Sequence, residues 1–428
     1  MQDTDRRGAP RIAYLTSAYP AVSHTFILRE VEALRRLGLD VVTCSVRRSG
    51  PEHLRGPAET RAAETTFHVI EAARSPRALL AAQAPALTAP GRYVGTLARA
   101  ARMRGPGPRA ALYQLFYFAE ATLLARHLKA VGATHLHNHF AGPSASVAVL
   151  AARLAGLPFS FTLHGPADLA EPARWGLGEK IAQASFVACI SNYARSQAML
   201  ASDPAHWDRL RVVHCGVEPG LYRRHGGERD DPRLHLVFVG RLAPVKGLRV
   251  LIEALRLRRA REGADDLRLT VVGDGEDRPA LEAMAAPLGD AVRFTGYRSQ
   301  DEVAGILATA DAFALASFAE GVPVVLMEAM AAGLPVIAPR ITGIPELVED
   351  GVSGILVPPG DAQALAAAID RLAALPDRGA ALGEAGRRVV AAEFDISTEA
   401  ARLATLFRDG PGDTLRPAPA TTAQPRAS

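Results

Sequence analysis

Short apolar runs, each followed by a loop and then by an apolar stripe at helical spacing, recur through both halves of the chain. RIAYLT (11–16) opens the series. After the loop SAYPAVSHTF, the residues Ile27, Val31, Leu34 and Leu37 mark a helix over 27–37 that Ser23 or Thr25 can cap. Gly38 ends that helix, and 41–46 reads as the next strand. THLHNHF (134–140), FSFTLHGPADL (159–169), SFVACIS (185–191) and RVVHCGV (211–217) supply further strands, and the polar, glycine-rich PGLYRRHGGERDD (219–231) reads as a linker. A second series follows, with strands at 235–240, 267–273, 292–297, 312–317 and 335–339 and helices at 248–261 and 324–332. Asp361 caps a helix over 362–373, and further helices are expected over 377–392 and 394–407. Alternating short strands and helices predict an α/β protein of two Rossmann-like domains with a cleft between them. The expected boundaries are 1–218, a linker 219–233, 234–395, a helix 396–408 packing back on the first domain, and a Pro/Ala/Thr-rich disordered tail 409–428.

The stretch 314–348 carries the most chemistry. Glu320 and Glu328 bracket Gly321 and Pro323; Pro323 suits the first turn of a helix that Gly333 and Pro335 end. Free amides after Gly321, with the helix dipole, offer a seat for an anion. Two carboxylates beside such a seat suit a phosphate flanked by hydroxyls, which donate to carboxylates; ordinary solvated glutamates would give the same spacing. The loop RLAPVKG adds two cations, Arg241 and Lys246. In the first half, His135, His137 and His139 alternate onto one strand face, with His139 expected to face the cleft. No further zinc ligand is evident beside them, so no metal site is expected. His164 and Asp168 form a second polar cluster at a strand's C-terminal end. GDGEDR (273–278) lacks the third glycine of a dinucleotide fingerprint, which argues against NAD.

Composition bounds this picture. With 428 residues, 48% hydrophobic and 22% charged, the chain can build two domains with substantial cores. No apolar run is long enough to span a bilayer, and MQDTDRRGAP has no signal-peptide apolar region. Three scattered cysteines, Cys44, Cys189 and Cys215, suit a reducing cytoplasm. The net charge of +4 divides unevenly: residues 1–220 hold 25 Lys+Arg against 16 Asp+Glu, a balance of +9, leaving −5 for the rest. Residues 72–119 hold seven arginines, Arg99, Arg102 and Arg104 among them, and no acidic residue. That points to an anionic membrane surface or a phosphorylated lipid, and no nucleic-acid-binding signature accompanies it; a solvated helical face reads the same way.

SFAEGVPVVLMEAMAAGLPVIAP, TGIPELVEDGVSGILVPPGD and FVGRLAPVKG resemble the C-terminal domain of glycosyltransferase family 4, retaining nucleotide-sugar enzymes of the GT-B fold. YPAVSHTFILREV, HLHNHFAGPSA, FTLHGPADL and CISNYARSQ resemble its bacterial exopolysaccharide, colanic-acid-type branch. The resemblance implies that Arg241 and Lys246 bind the donor diphosphate, Glu328 the ribose hydroxyls and Glu320 the donor-sugar hydroxyls. Gly321, Val322 and Pro323 would lie beside phosphate and sugar, Gly296 and Tyr297 near the nucleobase, and His164 at the reaction centre. Ser23, His24, His139 and Asp168 are assigned to the acceptor side. Ala21-Val22-Ser23-His24 stands where many members carry a glycine pair. The implied function is retaining transfer of a hexose from a nucleoside-diphosphate sugar to a saccharide or lipid-linked saccharide, without cofactor or metal. The alternatives are an inverting transferase on a small-molecule acceptor, with His164, His139 or Asp168 as base, a sugar-nucleotide epimerase, and a non-catalytic sugar-nucleotide-binding protein.

Overall fold

Seven apolar runs pair as one all-parallel sheet and six as another. The computed structural model describes residues 10–54, 56–105, 107–223, 231–261 and 266–410, with the side chains of Ser23, Pro85, Ala86 and Ala167 left aside. The acceptor-side assignment of the Ser23 side chain, part of the expected linker (224–230) and the expected tail from 411 thus lie outside the described residues.

The first sheet contains β1 (Arg11–Ala18), β2 (Asp40–Arg47), β3 (Phe67–His68), β4 (His135–His139), β5 (Phe159–Leu163), β6 (Phe186–Cys189) and β7 (Leu210–Val212), in the order β3-β2-β1-β4-β5-β6-β7. The second contains β8 (Leu234–Val239), β9 (Leu267–Val272), β10 (Val292–Phe294), β11 (Ala312–Ala314), β12 (Val336–Pro339) and β13 (Ile355–Val357), in the order β10-β9-β8-β11-β12-β13. In both, the strand order reverses beside the first strand, the place where open α/β sheets bind ligands. Two short edge strands, β3 and β13, escape the sequence reading because two or three residues carry no readable period. Several other strands stop early. The 292–297 and 312–317 runs pair only through Phe294 and Ala314, and their last residues leave the sheet as loops at its C-terminal edge.

Strand alternation decides which helices cover which face. Ala13 and Leu15 of β1 share a core with helices Pro108–Ala130 and Pro143–Ala155, whereas Ile12 and Tyr14 face helix Thr25–Arg36 and the C-terminal helix Ile396–Asp409. That last helix presents Ile396, Ala400, Leu403 and Phe407 as one buried stripe. Phe407 packs edge-on against Tyr14, His135 and His137, with ring centroids 6.2, 5.2 and 5.3 Å away. The chain passes between the sheets at two neighbouring places: Val217 N–H donates to Phe394 O at 2.9 Å, and Ile396 N–H donates to Val217 O at 2.9 Å.

Two capping expectations are corrected. His24, with no side-chain cap bond, sits at the N-cap of helix Thr25–Arg36, and Thr25 is its first residue. Pro323 lies just before helix Val324–Ala331 with an extended ψ of 122°, so it directs the chain into the helix rather than occupying its first turn.

Candidate active site

The loops that leave the C-terminal edges of the two sheets meet across a narrow cleft. A Cβ on Gly321 would lie 2.0 Å from His164 O, and one on Gly165 would lie 2.8 Å from Gly321 Cα. Only glycine at these positions lets the two backbones touch. A second crossing is polar: the Glu346 carboxylate accepts Asn192 N–H at 2.7 Å and Tyr193 N–H at 2.8 Å, satisfying open amides at the start of helix Asn192–Leu200.

The second domain contributes a cation and two carboxylates. Glu320 Oε1 accepts from Lys246 Nζ and from Ser317 Oγ, each at 2.7 Å. Glu328 Oε1 accepts from Tyr222 Oη at 2.9 Å and from Arg29 Nη2 at 2.7 Å. In both residues Oε1 carries two bonds, and no described residue bonds Oε2. Each buried glutamate is thus held by one oxygen and offers the other to a hydroxyl donor. Arg241 is exposed on the same loop as Lys246, and Val322 is buried next to Gly321. Gly296 holds a left-handed φ of 73° and bonds Gly273 N–H through its carbonyl, which leaves Tyr297 exposed beyond it.

The first domain contributes a buried imidazole chain. His139 Nε2 lies 3.3 Å from Glu30 Oε1, His139 Nδ1 lies 2.8 Å from His164 Nε2, and His164 Nδ1 lies 3.6 Å from Cys215 Sγ. Tyr14 Oη donates to Glu30 Oε1 at 2.8 Å. A protonated Cys215 thiol donates to His164 Nδ1, which makes His164 Nε2 the donor to His139 Nδ1, while His139 Nε2 has no hydrogen-bond partner among the described residues. Burial holds the Cys215 thiol well above its ordinary value, in keeping with that donor role. Burial, and then the neighbouring His139 and His24, hold His164 well below its ordinary value. The ring is therefore neutral with both nitrogens engaged.

Two acceptor-side expectations change. His139 is fully buried behind His164 and does not face the cleft. Asp168 is buried, with its oxygens taken by Ala141 N–H at 2.8 Å and His164 N–H at 3.1 Å, so it shapes the loop that presents His164. Lys180, wholly buried and pushed down to about 7 by desolvation, donates to Ala141 O at 2.6 Å from the other side of that loop. His24 packs at a tilt on Phe140 with ring centroids 4.7 Å apart, and Phe26 and Phe140 pack on His164 at 4.8 and 4.6 Å, giving an aromatic wall beside the imidazole. Phe26, Arg29 and Glu30 lie within the stretch YPAVSHTFILREV but receive no role from the sequence, because nothing local says what they pack against, and Tyr222 lies in the expected linker.

Two of the three strand histidines bond within the sheet. His135 Nε2 meets Ser160 Oγ at 2.6 Å, and His137 meets Ser160 and Thr162 at 2.8 and 2.9 Å. Glu30, His137 and His139 offer ligand atoms within 4.8 Å of one another, but the hydroxyls already engage both nitrogens of His137. Burial pushes His24 and His135 down to about 4 and His137 well below its ordinary value. These imidazoles stay neutral in the folded state while the unfolded chain protonates below about 6.5, so the unfolded state binds more protons as pH falls. Stability is therefore expected to drop by several kcal/mol as pH goes from about 6.5 towards 4, read from urea midpoints at pH 7.5 and 5. An unchanged midpoint would contradict the buried neutral assignment.

Two family models match the chain: Glycosyltransferase Family 4 over residues 23–221 and Glycosyl transferases group 1 over 233–374. The amylovoran biosynthesis glycosyltransferase AmsK of Erwinia amylovora is 38% identical over 45% of this chain, which spans 48% of that relative, about half its length. A GDP-mannose-dependent alpha-(1-6)-phosphatidylinositol monomannoside mannosyltransferase of Mycolicibacterium smegmatis is 33% identical, covering 67% of this chain and 80% of the relative. Anabaena Alr3699/HepE in complex with UDP aligns with a TM-score of 0.68 at 20% identity, over 92% of this chain and 98% of that one, a likeness of fold. The two facing parallel-sheet domains are thus the GT-B architecture.

Proposed function

Because the chain belongs to glycosyltransferase family 4, we propose that it transfers a hexose from a nucleoside-diphosphate sugar, with retention, to a saccharide or lipid-linked saccharide in exopolysaccharide-type synthesis. The observation that carries this reading is the matched pair of held carboxylates, Glu320 and Glu328, each with Oε2 unbonded by described residues, around the Gly321–Pro323 turn. A sugar on one side and a ribose on the other would each donate a hydroxyl proton to a glutamate, with the diphosphate between them at the start of helix Val324–Ala331.

In this mechanism the bond from sugar C1 to the diphosphate lengthens toward an oxocarbenium-like state. Arg241, Lys246 and the helix N-terminus meet the charge that develops on the leaving group, and no divalent ion is invoked. The acceptor hydroxyl adds to the same face, and a phosphate oxygen takes its proton. The state of the first domain supports retention: His164 and Asp168 have their polar atoms engaged, and His139 is buried, so no described candidate base faces an acceptor. Incubation with UDP-, GDP- and ADP-hexoses, followed by NMR of the anomeric proton of the product, tests the proposal. Retained configuration is expected; inversion would overturn the mechanism, and no transfer from any donor would overturn the activity.

The acceptor reading extends to an anionic lipid surface. Leu80, Leu87, Val94, Leu112, Leu115 and Phe116 are exposed, Leu87 at 88% and Phe116 at 54%, on helices that also expose Arg77, Arg92, Arg102 and Arg109, with Arg74 and Arg104 exposed between them. Apolar side chains among arginines suit the headgroup boundary of an anionic leaflet. No described helix is long and apolar enough to cross a membrane. Arg99 departs from the expected patch, since it is paired with Glu179. Changing Arg102 and Arg104 to Ser, at about 1 kcal/mol per arginine, is expected to lower co-sedimentation with phosphatidylserine vesicles about tenfold or more. Unchanged binding would remove the membrane from the reading.

A further inference from the structure

Helix Thr25–Arg36 belongs to the first domain, yet it sends one guanidinium into the second. Arg29 Nη2 has two hydrogens and three acceptors within reach: Glu328 Oε1 at 2.7 Å, Gln300 Oε1 at 2.8 Å and Tyr222 Oη at 2.9 Å. Its Nη1 has two more hydrogens, is buried, and has no partner among the described residues. The side chain is only 11% exposed. A buried guanidinium nitrogen without an acceptor is an incomplete arrangement, because desolvated donors are ordinarily paired. It sits against Glu328, whose remaining oxygen is open to a hydroxyl donor. The gap therefore calls for a ligand with acceptor oxygens on one side and hydroxyls on the other.

We infer that Arg29 is a nucleotide-binding residue supplied across the cleft, fixing Glu328 by Oε1 for the ribose and turning its free Nη1 to an oxygen of the donor's nucleoside diphosphate. The inference rests on the donor reading above. The planar guanidinium fork suits this double task, since it can hold a carboxylate with one nitrogen and a phosphate or ribose oxygen with the other. It also ties donor binding to cleft geometry. Arg29 reaches Glu328 in the same arrangement that brings the backbones of His164 and Gly321 into contact, so a nucleotide bound by both residues would favour that arrangement.

Calorimetric titration of the full chain with UDP, GDP and ADP, and with their 2′-deoxy forms, tests the assignment. Arg29→Gln is expected to weaken binding of the preferred diphosphate about tenfold or more and to shrink the preference for ribose over 2′-deoxyribose, because Glu328 is no longer held. Loss of preference is a readout that a merely structural residue would not move. Arg29→Lys keeps a positive charge beside Glu328 and guards against a folding failure of the glutamine variant. It lacks the second nitrogen and is expected to bind nucleotide several-fold more weakly than wild type while melting close to it. If the wild-type chain binds one of the nucleotides and both variants match its affinity and its ribose preference, the inference is overturned alone. A wild-type chain that binds none of the three overturns the donor reading, and this inference with it.

Discussion

Lys246→Ala is expected to lower hexose transfer by about a hundredfold or more, with the loss in kcat. The ammonium does two things in the structure. It holds Glu320 Oε1 at 2.7 Å, and it places a positive charge on the loop beside the seat proposed for the diphosphate. A cation that meets charge appearing only as the leaving bond breaks stabilises the transition state more than the bound donor, so its removal lowers kcat rather than raising KM alone. The cost to folding is expected to be small, about 1 kcal/mol, because the Lys246 side chain is 27% exposed and solvent screens the pair. Initial rates at saturating donor, set beside the urea midpoint, separate the two effects. A variant that turns over like wild type would refute the assignment of Lys246 to the leaving group.

Glu328→Ala carries the largest expected effect on stability. The Glu328 side chain is 8% exposed and that of Arg29 11%, and removing one partner of a buried pair leaves the other charge desolvated, at a cost of about 3–5 kcal/mol. Glu328 also pulls the Arg29 guanidinium above its ordinary value, against the desolvation that opposes it. Replacing both residues, as Arg29→Met with Glu328→Ala, removes the stranded charge and is expected to recover much of the loss. The double-mutant cycle then yields a coupling of about 2 kcal/mol or more, within the range that contacting residues show. Glu328→Gln keeps an acceptor oxygen for Tyr222 and Arg29 and is expected to fall between wild type and alanine. Unfolding in urea of wild type, Arg29→Met, Glu328→Ala, the double variant and Glu328→Gln measures these effects. A loss under about 1 kcal/mol in Glu328→Ala would mean that the Arg29 contact opens to water in solution, as exposed pairs do.

Helix Thr25–Arg36 unites the two halves of the site. Arg29 crosses to Glu328, while its neighbour Glu30 stays at home, accepting from Tyr14 and lying 3.3 Å from His139, which bonds His164. Successive residues thus serve the donor cleft and the imidazole. From the sequence this helix has an apolar stripe of Ile27, Val31 and Leu34 and a place in the stretch YPAVSHTFILREV, but no role for the charged residues between, and such charges are ordinarily solvated.

The sequence by itself determined the alternation of strands and helices, and so two parallel-sheet domains, because the side-chain periods of strand and helix are local properties of the backbone. It also determined that Glu320, Gly321, Pro323 and Glu328 share one turn and helix start, since the nine residues from 320 to 328 leave little freedom. Only the tertiary structure decided that each glutamate is held by Oε1 with Oε2 left open, that His139 and Asp168 support His164 from behind, and that Arg29 reaches Glu328, 299 positions further along the chain. The reason is physical. A local pattern fixes which way a side chain leaves its own strand or helix, but its partner is fixed by which elements pack together, and burial then decides which charges must pair.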